Sequence, residues 1–324
     1  MLGAVLALLS AATFGLNNAA LRRGVLTGSV LQAMVVTVPM GVPLFLAACA
    51  IFGAVGTIAA FDAGTWGWLS AAGVIHFVAG RYGNYRATRA LGAALSGPIQ
   101  QLSVPVALAL ALLFLDEKLT PLRVIGILMV VLGPMVIFRR GKGGGREKTA
   151  SGFEPDYVDG TVWGAVGAFG YGTSPLLIAY ALEGRGLVDS LAAGFVSYLA
   201  AAIVVLAMVP LPGNARHVMD LDRTAARWFA LSGFIVFFSQ LFRYMALAIA
   251  PVSVVTPIQR LSVVFRLLFA ALLNRDHEVL GLWTWIGIAI SALGAIALSV
   301  STDLVLQTVP MPGWLADVAR IEWP

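Results

Sequence analysis

The chain has 324 residues, of which 59% are hydrophobic and only 11% are charged, whereas about 25% of an average soluble domain is charged. Apolar stretches of roughly 20 residues recur along the chain, and a helix needs this length to cross a hydrocarbon core of about 30 Å. The composition excludes a soluble globular domain and predicts a polytopic helical membrane protein.

Residues that carry metal, redox or nucleic-acid chemistry are sparse. Cys49 is the single cysteine, which excludes a disulfide framework and a thiolate metal cluster. His76, His217 and His277 lie far apart, without the spacing of metal ligands. The net charge of +5 comes without a basic run interleaved with aromatics, so no nucleic-acid partner is expected. Nothing in the sequence calls for a cofactor.

Ten apolar segments, numbered as spans one to ten, are predicted to be transmembrane helices. They cover residues 2–21, 31–54, 67–87, 92–114, 121–138, 160–181, 188–210, 227–247, 252–273 and 281–300. A cleaved signal peptide is the alternative for the first segment. We reject it because ATFGLN, at 12–17, has a counterpart in FGYGTS, at 169–174. A discarded leader has no reason to recur inside the mature chain.

The longest polar stretch is RRGKGGGREKTASGFEPDYVD, residues 139–159. Its glycines and mixed charges predict a flexible linker, and it lacks the GxxxxGK[ST] pattern of a phosphate-binding loop. The linker separates a first five-span unit, residues 1–138, from a second, residues 160–300. Residues 301–324 form a tail that is compatible with either an interfacial helix or a disordered end.

The two units repeat one motif. PIQQLSV at 98–104 returns as PIQRLSV 159 residues later (257 minus 98), with Arg260 where the first copy has Gln101. Paired glycines also repeat 161 residues apart (287 minus 126): Gly126 with Gly287 and Gly133 with Gly294. Because each unit has an odd number of spans, the second must enter the membrane from the opposite side. The sequence predicts an all-α membrane protein of ten transmembrane helices, an inverted repeat of two five-helix halves, as in many secondary transporters.

Two segments resemble a known family. LDEKLTPLRVIGILMVVLG, at 115–133, is similar to the hallmark segment of the EamA-like drug/metabolite transporter superfamily, and FGLNNAALRRG, at 14–24, is similar to its first-span motif. The second copy of the hallmark, NRDHEVLGLWTWIG at 274–287, departs from the pattern by two extra residues and a missing lysine. The resemblance implies a bundle in which spans three, four, eight and nine line a central cavity, with spans five and ten at its periphery.

Polar side chains inside spans four and nine follow helical spacing. Gln259, Ser262 and Arg266 are spaced i, i+3, i+7 and share one face of a helix. Gln100 and Ser103 form the equivalent face of span four. Four prolines near these faces predict helix breaks that leave carbonyl groups free to line a cavity: Pro98, Pro105, Pro251 and Pro257.

Arg260 lies nearest the middle of its span and points about 100° away from Gln259 on an ideal helix. An arginine at a helix centre costs roughly 2.5–3.5 kcal/mol on insertion scales, so it faces the bundle interior or water. Arg260 is therefore predicted to hold an anionic group. Its replacement of Gln101 puts a positive charge on one side of the cavity.

Arg81, Asn84 and Tyr85 on span three and Arg243 and Tyr244 on span eight are predicted to complete the cavity, with the tyrosines as walls. Snorkelling to the interface is the alternative for three of the arginines, and hydrogen bonding between helices is the alternative for the glutamines. The predicted substrate-binding residues are Arg81, Asn84, Tyr85, Gln100, Gln101, Ser103, Arg243, Tyr244, Gln259, Arg260, Ser262 and Arg266.

His76 is predicted to be a packed core histidine that points away from the polar face of span three that carries Arg81. All sixteen acidic residues fall in loops, at span ends or in the tail, so we expect no buried carboxylate. A proton-coupled exporter of cationic drugs normally carries one. A cavity with arginines and no acid attracts anions or the carboxylate end of a zwitterion.

The sequence thus predicts a secondary transporter, not an enzyme, that moves a small anionic or zwitterionic metabolite, such as an amino acid or organic acid, by alternating access. One alternative is an intramembrane enzyme acting on a lipid-linked phosphate, for which His76 is the sole base within a span. Another is a sensor or assembly partner that transports nothing. The expected partners are the metabolite and the lipid bilayer, and the sequence leaves a homodimer open.

Lysine and arginine concentrate in the loops on the linker's side of the predicted bundle. By the positive-inside rule, this places the linker in the cytoplasm and both termini outside. The family resemblance instead implies that both termini lie inside. The expected location is the cell membrane in either case.

Overall fold

The computed structural model of the chain describes residues 2–114, 120–143, 151–250, 255, 258–300, 302–308, 310, 312–321 and 323. The helices of the first half are α1 (Leu2–Gly24), α2 (Val30–Ile51), α3 (Val55–Ala60), α4 (Ala63–Gly73), a π-helix (Val74–Gly80), α5 (Arg81–Gln100), α6 (Ser103–Phe114) and α7 (Pro121–Gly143). Those of the second half are α8 (Tyr157–Ala181), α9 (Leu187–Ala207), α10 (Asn214–Met219), α11 (Arg223–Ile249), α12 (Ser262–Leu273), a 3₁₀ turn (Arg275–His277) and α13 (Leu282–Ser299). The tail adds α14 (Thr302–Thr308) and α15 (Gly313–Ala319).

Five of the described helices are each long and apolar enough to cross a membrane: α1, α2, α8, α9 and α11. They coincide with predicted spans one, two, six, seven and eight. Spans five and ten fall on α7 and α13, while spans three, four and nine fall on interrupted helices. The helical membrane fold is confirmed, and the count of ten spans stays a prediction.

Large apolar side chains cover the outside of the bundle. Ile51, Leu113 and Leu272 are 75%, 74% and 76% exposed, and such a surface is compatible with lipid rather than with water. The interior holds a large apolar cluster in which Phe45 and Tyr198 are fully buried. The fold therefore buries its polar network among apolar helices and turns leucine and isoleucine outward.

Helices of the two halves pack in symmetric pairs. α1 packs against α11, and its repeat counterpart α8 packs against α5, which contains the end of span three. α2 packs against its own counterpart α9, and α7 against its own counterpart α13. This pairing has the pseudo-twofold symmetry that an inverted repeat requires.

The repeated glycines bring α7 and α13 into backbone contact. A Cβ on Gly133 would lie 2.7 Å from the carbonyl oxygen of Gly287. A Cβ on Gly294 would lie 2.8 Å from the carbonyl oxygen of Gly126. Small residues at helix interfaces permit such close approach in membranes, so the repeat of these glycines reflects one symmetric contact.

Polar caps define the ends of several helices. Ser29 and Gln32 form a capping box at the start of α2, and the Asp62 carboxylate accepts a hydrogen bond from the Thr65 amide at the start of α4. At the start of α11, Asp222 accepts from the amides of Thr224 and Ala225. These caps satisfy amide donors that the helices cannot satisfy themselves.

Helix α5 contains a break at Gly92, where φ is 88° and ψ is 169°. This region of backbone space is essentially open to glycine alone. A Cβ on Gly92 would also lie 2.5 Å from Oε2 of Glu278. The break separates the end of span three from the start of span four at Ala93.

Both copies of the repeated motif interrupt a helix, as their prolines predict. In the first copy α5 ends at Gln100 and α6 begins at Ser103, and the Leu102 amide donates to the Ile99 carbonyl at 3.0 Å. In the second copy the Leu261 amide donates to the carbonyl three residues before it, at 3.1 Å, ahead of α12. Pro251 and Pro257, and residues 115–119 of the family motif, lie outside the described residues.

The described ends of the predicted linker are ordered. α7 continues to Gly143 and α8 begins at Tyr157, while residues 144–150 lie outside the described part. In the tail, Trp314, Val318 and Ile321 are all exposed, and the prediction that they form an interfacial face stays untested.

The linker segment 151–156 docks on the end of the bundle where α7 and α8 are joined. The Ser151 amide donates to the Asp276 carbonyl at 3.0 Å, and the Asp156 amide donates to the Ala90 carbonyl at 2.9 Å. We call this end the linker-side face, defined by Arg22, Ala90, Phe153, Asp276 and Glu278.

Candidate functional site

A cavity of about 90 Å³ lies at the centre of the bundle, where the two broken motifs meet α1, α8 and α11. Eight predicted residues line it: Gln100, Gln101, Ser103, Arg243, Gln259, Arg260, Ser262 and Arg266. The breaks in both motifs explain this convergence, because a helix interrupted at its polar face exposes side chains that an unbroken helix would distribute around its axis.

Four other predicted residues do not line the cavity. Arg81 donates to the Tyr198 hydroxyl at 2.6 Å and to the Thr37 carbonyl at 3.3 Å, and the Tyr85 hydroxyl donates to Thr37 Oγ1 at 3.1 Å. Tyr244 packs in the apolar cluster, and Asn84 contacts Arg266 one layer behind the cavity wall. The predicted stripe of span three therefore divides between two faces.

Arg266 is buried among neutral oxygen acceptors. Its Nη2 donates to Asn84 Oδ1 at 2.7 Å, to Thr88 Oγ1 at 3.3 Å and to Asn18 Oδ1. Asn84 Nδ2 in turn donates to Asn18 Oδ1 at 2.9 Å. At 3% exposure, Arg266 does not snorkel to an interface. Its guanidinium is held in place at the cavity, and among the described residues no carboxylate lies within ion-pair distance of it.

Arg243 forms a second buried group with His76 and Ser174. Its Nη1 lies 3.3 Å from both ring nitrogens of His76 and donates to Gln240 Oε1 at 3.2 Å. Its Nη2 donates to Ser174 Oγ at 3.4 Å, and His76 Nδ1 lies 2.7 Å from the same oxygen. Snorkelling is excluded here too, because Arg243 is 6% exposed.

The prediction that His76 is only a packed core residue is wrong. His76 lines the cavity beside Arg243. The reason is the π-helix Val74–Gly80, whose extra residue per turn shifts the register and turns His76 inward. π-helical turns frequently occur at functional sites.

Arg260 joins the two copies of the repeated motif. Its Nη1 donates to Ser103 Oγ at 2.8 Å, and Gln101 Nε2 donates to the Arg260 carbonyl at 3.1 Å. The two positions that differ between the copies are therefore in contact. Both Arg260 and Gln259 line the cavity, and the angle of about 100° between them on an ideal helix stays a prediction.

Four buried polar atoms of the lining residues have no hydrogen-bond partner within the described part of the chain: Gln100 Oε1, Gln259 Nε2, Arg260 Nε and Arg266 Nε. Three of them are donors and one is an acceptor. Buried polar groups without partners are costly, so the wall of the cavity contains unsatisfied hydrogen-bonding groups in this state. No aspartate or glutamate is among the lining residues of the described chain.

Glu278 corrects the expectation that no acid is buried. It is 4% exposed, and its carboxylate accepts hydrogen bonds from the amides of Ala93 and Ala94 at 2.7 and 2.9 Å. Arg22 Nε lies 3.6 Å away. The carboxylate caps the helix that restarts after Gly92, where the positive end of a helix stabilises a negative charge.

Burial raises the pKa of the Glu278 carboxyl, and the opposing influence of Arg22 and the two amides is smaller. Glu278 lies on the linker-side face rather than in the cavity lining. There it joins the loop after α12 to α1 and to the turn at Gly92. It links the two halves of the chain at one end of the bundle.

Sequence reasoning also missed several lining residues: Ser10, Phe14, His76, Tyr171, Ser239 and Gln240. Gln240 had a usable signal, because it lies three residues before Arg243 on one helical face. Ser10 and Ser239 bond each other's backbone carbonyls where α1 crosses α11, and nothing in either local sequence indicates that crossing.

The comparisons with known proteins agree with this architecture. The EamA-like transporter family matches residues 1–139 and 159–300, the two halves of the chain. A solved structure described only as "Crystal structure of protein" is similar over 96% of this chain and 99% of its own, with a TM-score of 0.65 and 16% identity, which shows a shared fold. No curated protein matches. Because the family match covers most of its length in two repeats, the chain belongs to the EamA-like transporter family, whose members are membrane transporters.

Proposed function

We propose that this protein carries a small anionic or zwitterionic metabolite, such as an organic acid or amino acid, across the cell membrane by alternating access. The observation that carries the proposal is the cavity at the junction of the repeats. Arg243, Arg260 and Arg266 line it, and none of its described lining residues is acidic. Such a charge distribution attracts anions and repels cations.

Hydrogen bonds between the two halves close the bundle at the linker-side face, and a closed end of this kind supports alternating access. Asn274 Nδ2 donates to the Ala19 carbonyl at 2.9 Å, and Arg23 donates to the Leu273 carbonyl. These bonds, like the contact of Arg22 with Glu278, join α1 to the second half. The cavity lies deeper, at Phe14 and Gln100 of the first half, so a ligand that leaves through this face requires these bonds to open.

Exchange or facilitated transport fits the site better than proton coupling through a carboxylate. Coupling of that kind uses an acid for which proton and substrate compete, and the described lining residues include none. Glu278, the buried acid, caps a helix at the linker-side face instead. His76 is the one titratable base in the described lining.

One contact of His76 fits the enzyme alternative, and another contact of His76 does not. Ser174 Oγ lies 2.7 Å from His76 Nδ1, which is the distance between nucleophile and base in serine hydrolases. In those enzymes a carboxylate orients the imidazole. Here the group beside the ring is the Arg243 guanidinium. We therefore assign the pair to substrate binding.

Proteoliposomes with purified full-length protein test the proposal. Uptake of labelled succinate, lactate, alanine and putrescine into vesicles preloaded with the same compound distinguishes dianion, monoanion, zwitterion and dication. We expect uptake of at least one anion or zwitterion, lost in Arg260→Gln and kept in the control Arg86→Gln. Arg86 pairs with Asp159 outside the cavity. Uptake of putrescine alone, unchanged in Arg260→Gln, contradicts the proposal.

A further inference from the structure

The charge of the cavity is greater than a singly charged substrate needs. Arginine keeps its charge in proteins, so Arg243, Arg260 and Arg266 bring three positive charges to one cavity. This inference rests on the proposed transport of an anion or zwitterion and narrows its substrate class. The quantity inferred is the number of negative charges that the ligand carries.

Within the described part of the chain, none of the three arginines forms an ion pair. Arg243 and Arg260 bond the hydroxyls of Ser174 and Ser103, and Arg266 bonds amide and hydroxyl oxygens. The nearest buried acid, Glu278, is already paired with Arg22. Hydroxyl and amide oxygens satisfy the geometry of guanidinium donors without neutralising their charge. The neutralising groups have to come from the ligand.

A zwitterion would also need a partner for its ammonium group. The described lining residues include no carboxylate to receive it. An ammonium placed in the cavity would lie among arginines, where like charges repel. This charge distribution favours a ligand that is anionic at both of its ends.

The size of the cavity limits the ligand. At about 90 Å³ it is far below the roughly 300–1,000 Å³ of pockets that enclose drug-sized molecules. It suits a ligand of a few heavy atoms.

We propose that the substrate is a small dianion, such as a short dicarboxylate or a phosphate. One carboxylate, or one side of the phosphate, binds Arg260, and the other binds Arg243 beside His76. Arg266, fixed by its asparagines, supplies the third positive wall. Arg260 lies just before the start of α12, and Arg243 lies on α11. The ligand therefore bridges two segments of the second half.

A series of ligands of equal length tests the number of charges. Succinate carries two carboxylates, succinamate one, and 4-aminobutyrate one carboxylate and one ammonium; inorganic phosphate tests the other source of a dianion. Isothermal titration calorimetry with purified full-length protein gives each dissociation constant. Because a hydrogen bond to a charged group is worth more than tenfold in affinity, we expect succinate or phosphate to bind at least about tenfold more tightly than succinamate.

Variants assign the second charge to its arginine. In Arg260→Gln the ratio of succinate to succinamate affinity should collapse towards one, and in Arg260→Lys, which keeps the charge, a preference for succinate should remain. Arg86→Gln, outside the cavity, should leave the ratio unchanged. Size-exclusion profiles identify any variant that is misfolded, and Arg243→Gln then provides the second test of the same ratio.

The outcomes separate this inference from the proposed function. Stronger binding of succinate than phosphate assigns a dicarboxylate, and the reverse assigns a phosphate; both support a dianion. Binding of succinamate or 4-aminobutyrate as tight as that of succinate overturns the dianion and leaves transport of an anion or zwitterion standing. Absence of binding together with absence of uptake of every anion and zwitterion overturns both.

Discussion

Glu278 is a buried carboxylate whose protonation is coupled to folding. Because burial raises its pKa above the ordinary value of 4.5, the folded protein binds this proton more tightly than the unfolded chain. The contribution to the free energy of unfolding is largest below about pH 4.5 and is lost as the pH rises through the folded value.

Thermal melts of wild type and Glu278→Gln between about pH 5 and about pH 8 test this linkage. Glutamine approximates the neutral carboxyl in shape and keeps an acceptor for one of the amides of Ala93 and Ala94. We expect the stability of wild type relative to the variant to decrease as the pH rises. An increase would mean that Arg22 and the amides outweigh burial.

Ser103 is the side chain that orients Arg260. Ser103→Ala removes the 2.8 Å hydrogen bond to Arg260 Nη1, and a bond to a charged group is worth about 1.5–3 kcal/mol. We expect substrate KM to rise roughly tenfold. Uptake kinetics in proteoliposomes measure it. The matched control is Ser190→Ala, whose Oγ donates to the Leu187 carbonyl away from the cavity, and an equal rise in KM there would refute a specific role for Ser103.

The break at Gly92 is the feature of α5 that depends most on one residue. Its backbone lies in a region that other residues reach at about 1–3 kcal/mol, and a Cβ would push the Glu278 carboxylate from its two amides. Gly92→Ala should therefore lower the free energy of unfolding by more than the backbone strain alone would cost.

Gly53→Ala measures the loss of stability that a Cβ causes at a positive φ when no neighbouring atom is in contact. Gly53 also has a positive φ, of 73°, but nothing lies within 4 Å of a Cβ built there. We expect its loss of stability to be about 1 kcal/mol and clearly smaller than that of Gly92→Ala, as measured by thermal or denaturant unfolding in the same detergent. Equal losses would show that the Glu278 contact contributes nothing.

Elements that depend on chain-local patterns could be predicted from sequence, and those that depend on tertiary contacts could not. Apolar length predicted the five long helices that the structure has at spans one, two, six, seven and eight, and the repeated Pro-Ile-Gln motif indicated where helices break. The π-helix that turns His76 inward has no comparable sequence signal. The burial of Glu278 depends on a loop folding against Gly92, 186 residues away (278 minus 92). The position of Glu278 in a loop therefore gave no sign that its carboxyl is buried.

At the scale of the whole molecule, near-symmetry and its exceptions have different roles. The pairing of α1 with α11, of α8 with α5, and of α2 and α7 with their own counterparts follows the repeat. The cavity does not, because Arg260 replaces Gln101 and His76 enters from the first half alone. The symmetric pairing is the architecture of an inverted repeat, while the asymmetric charges lie in the cavity between the repeats.

Alternating access predicts that the linker-side face must open during transport. In a Cys49→Ala background, Arg23→Cys and Leu273→Cys place thiols on two residues that contact each other between the halves. A short bifunctional thiol reagent that is cleavable by reductant should abolish uptake in proteoliposomes, leave ligand binding from the other end intact, and release uptake after reduction. Each single-cysteine variant with the reagent is the control. Full uptake in the completely cross-linked protein would rule out opening at this face, because the contacts of Arg22 and Asn274 between the halves would then stay closed throughout the transport cycle.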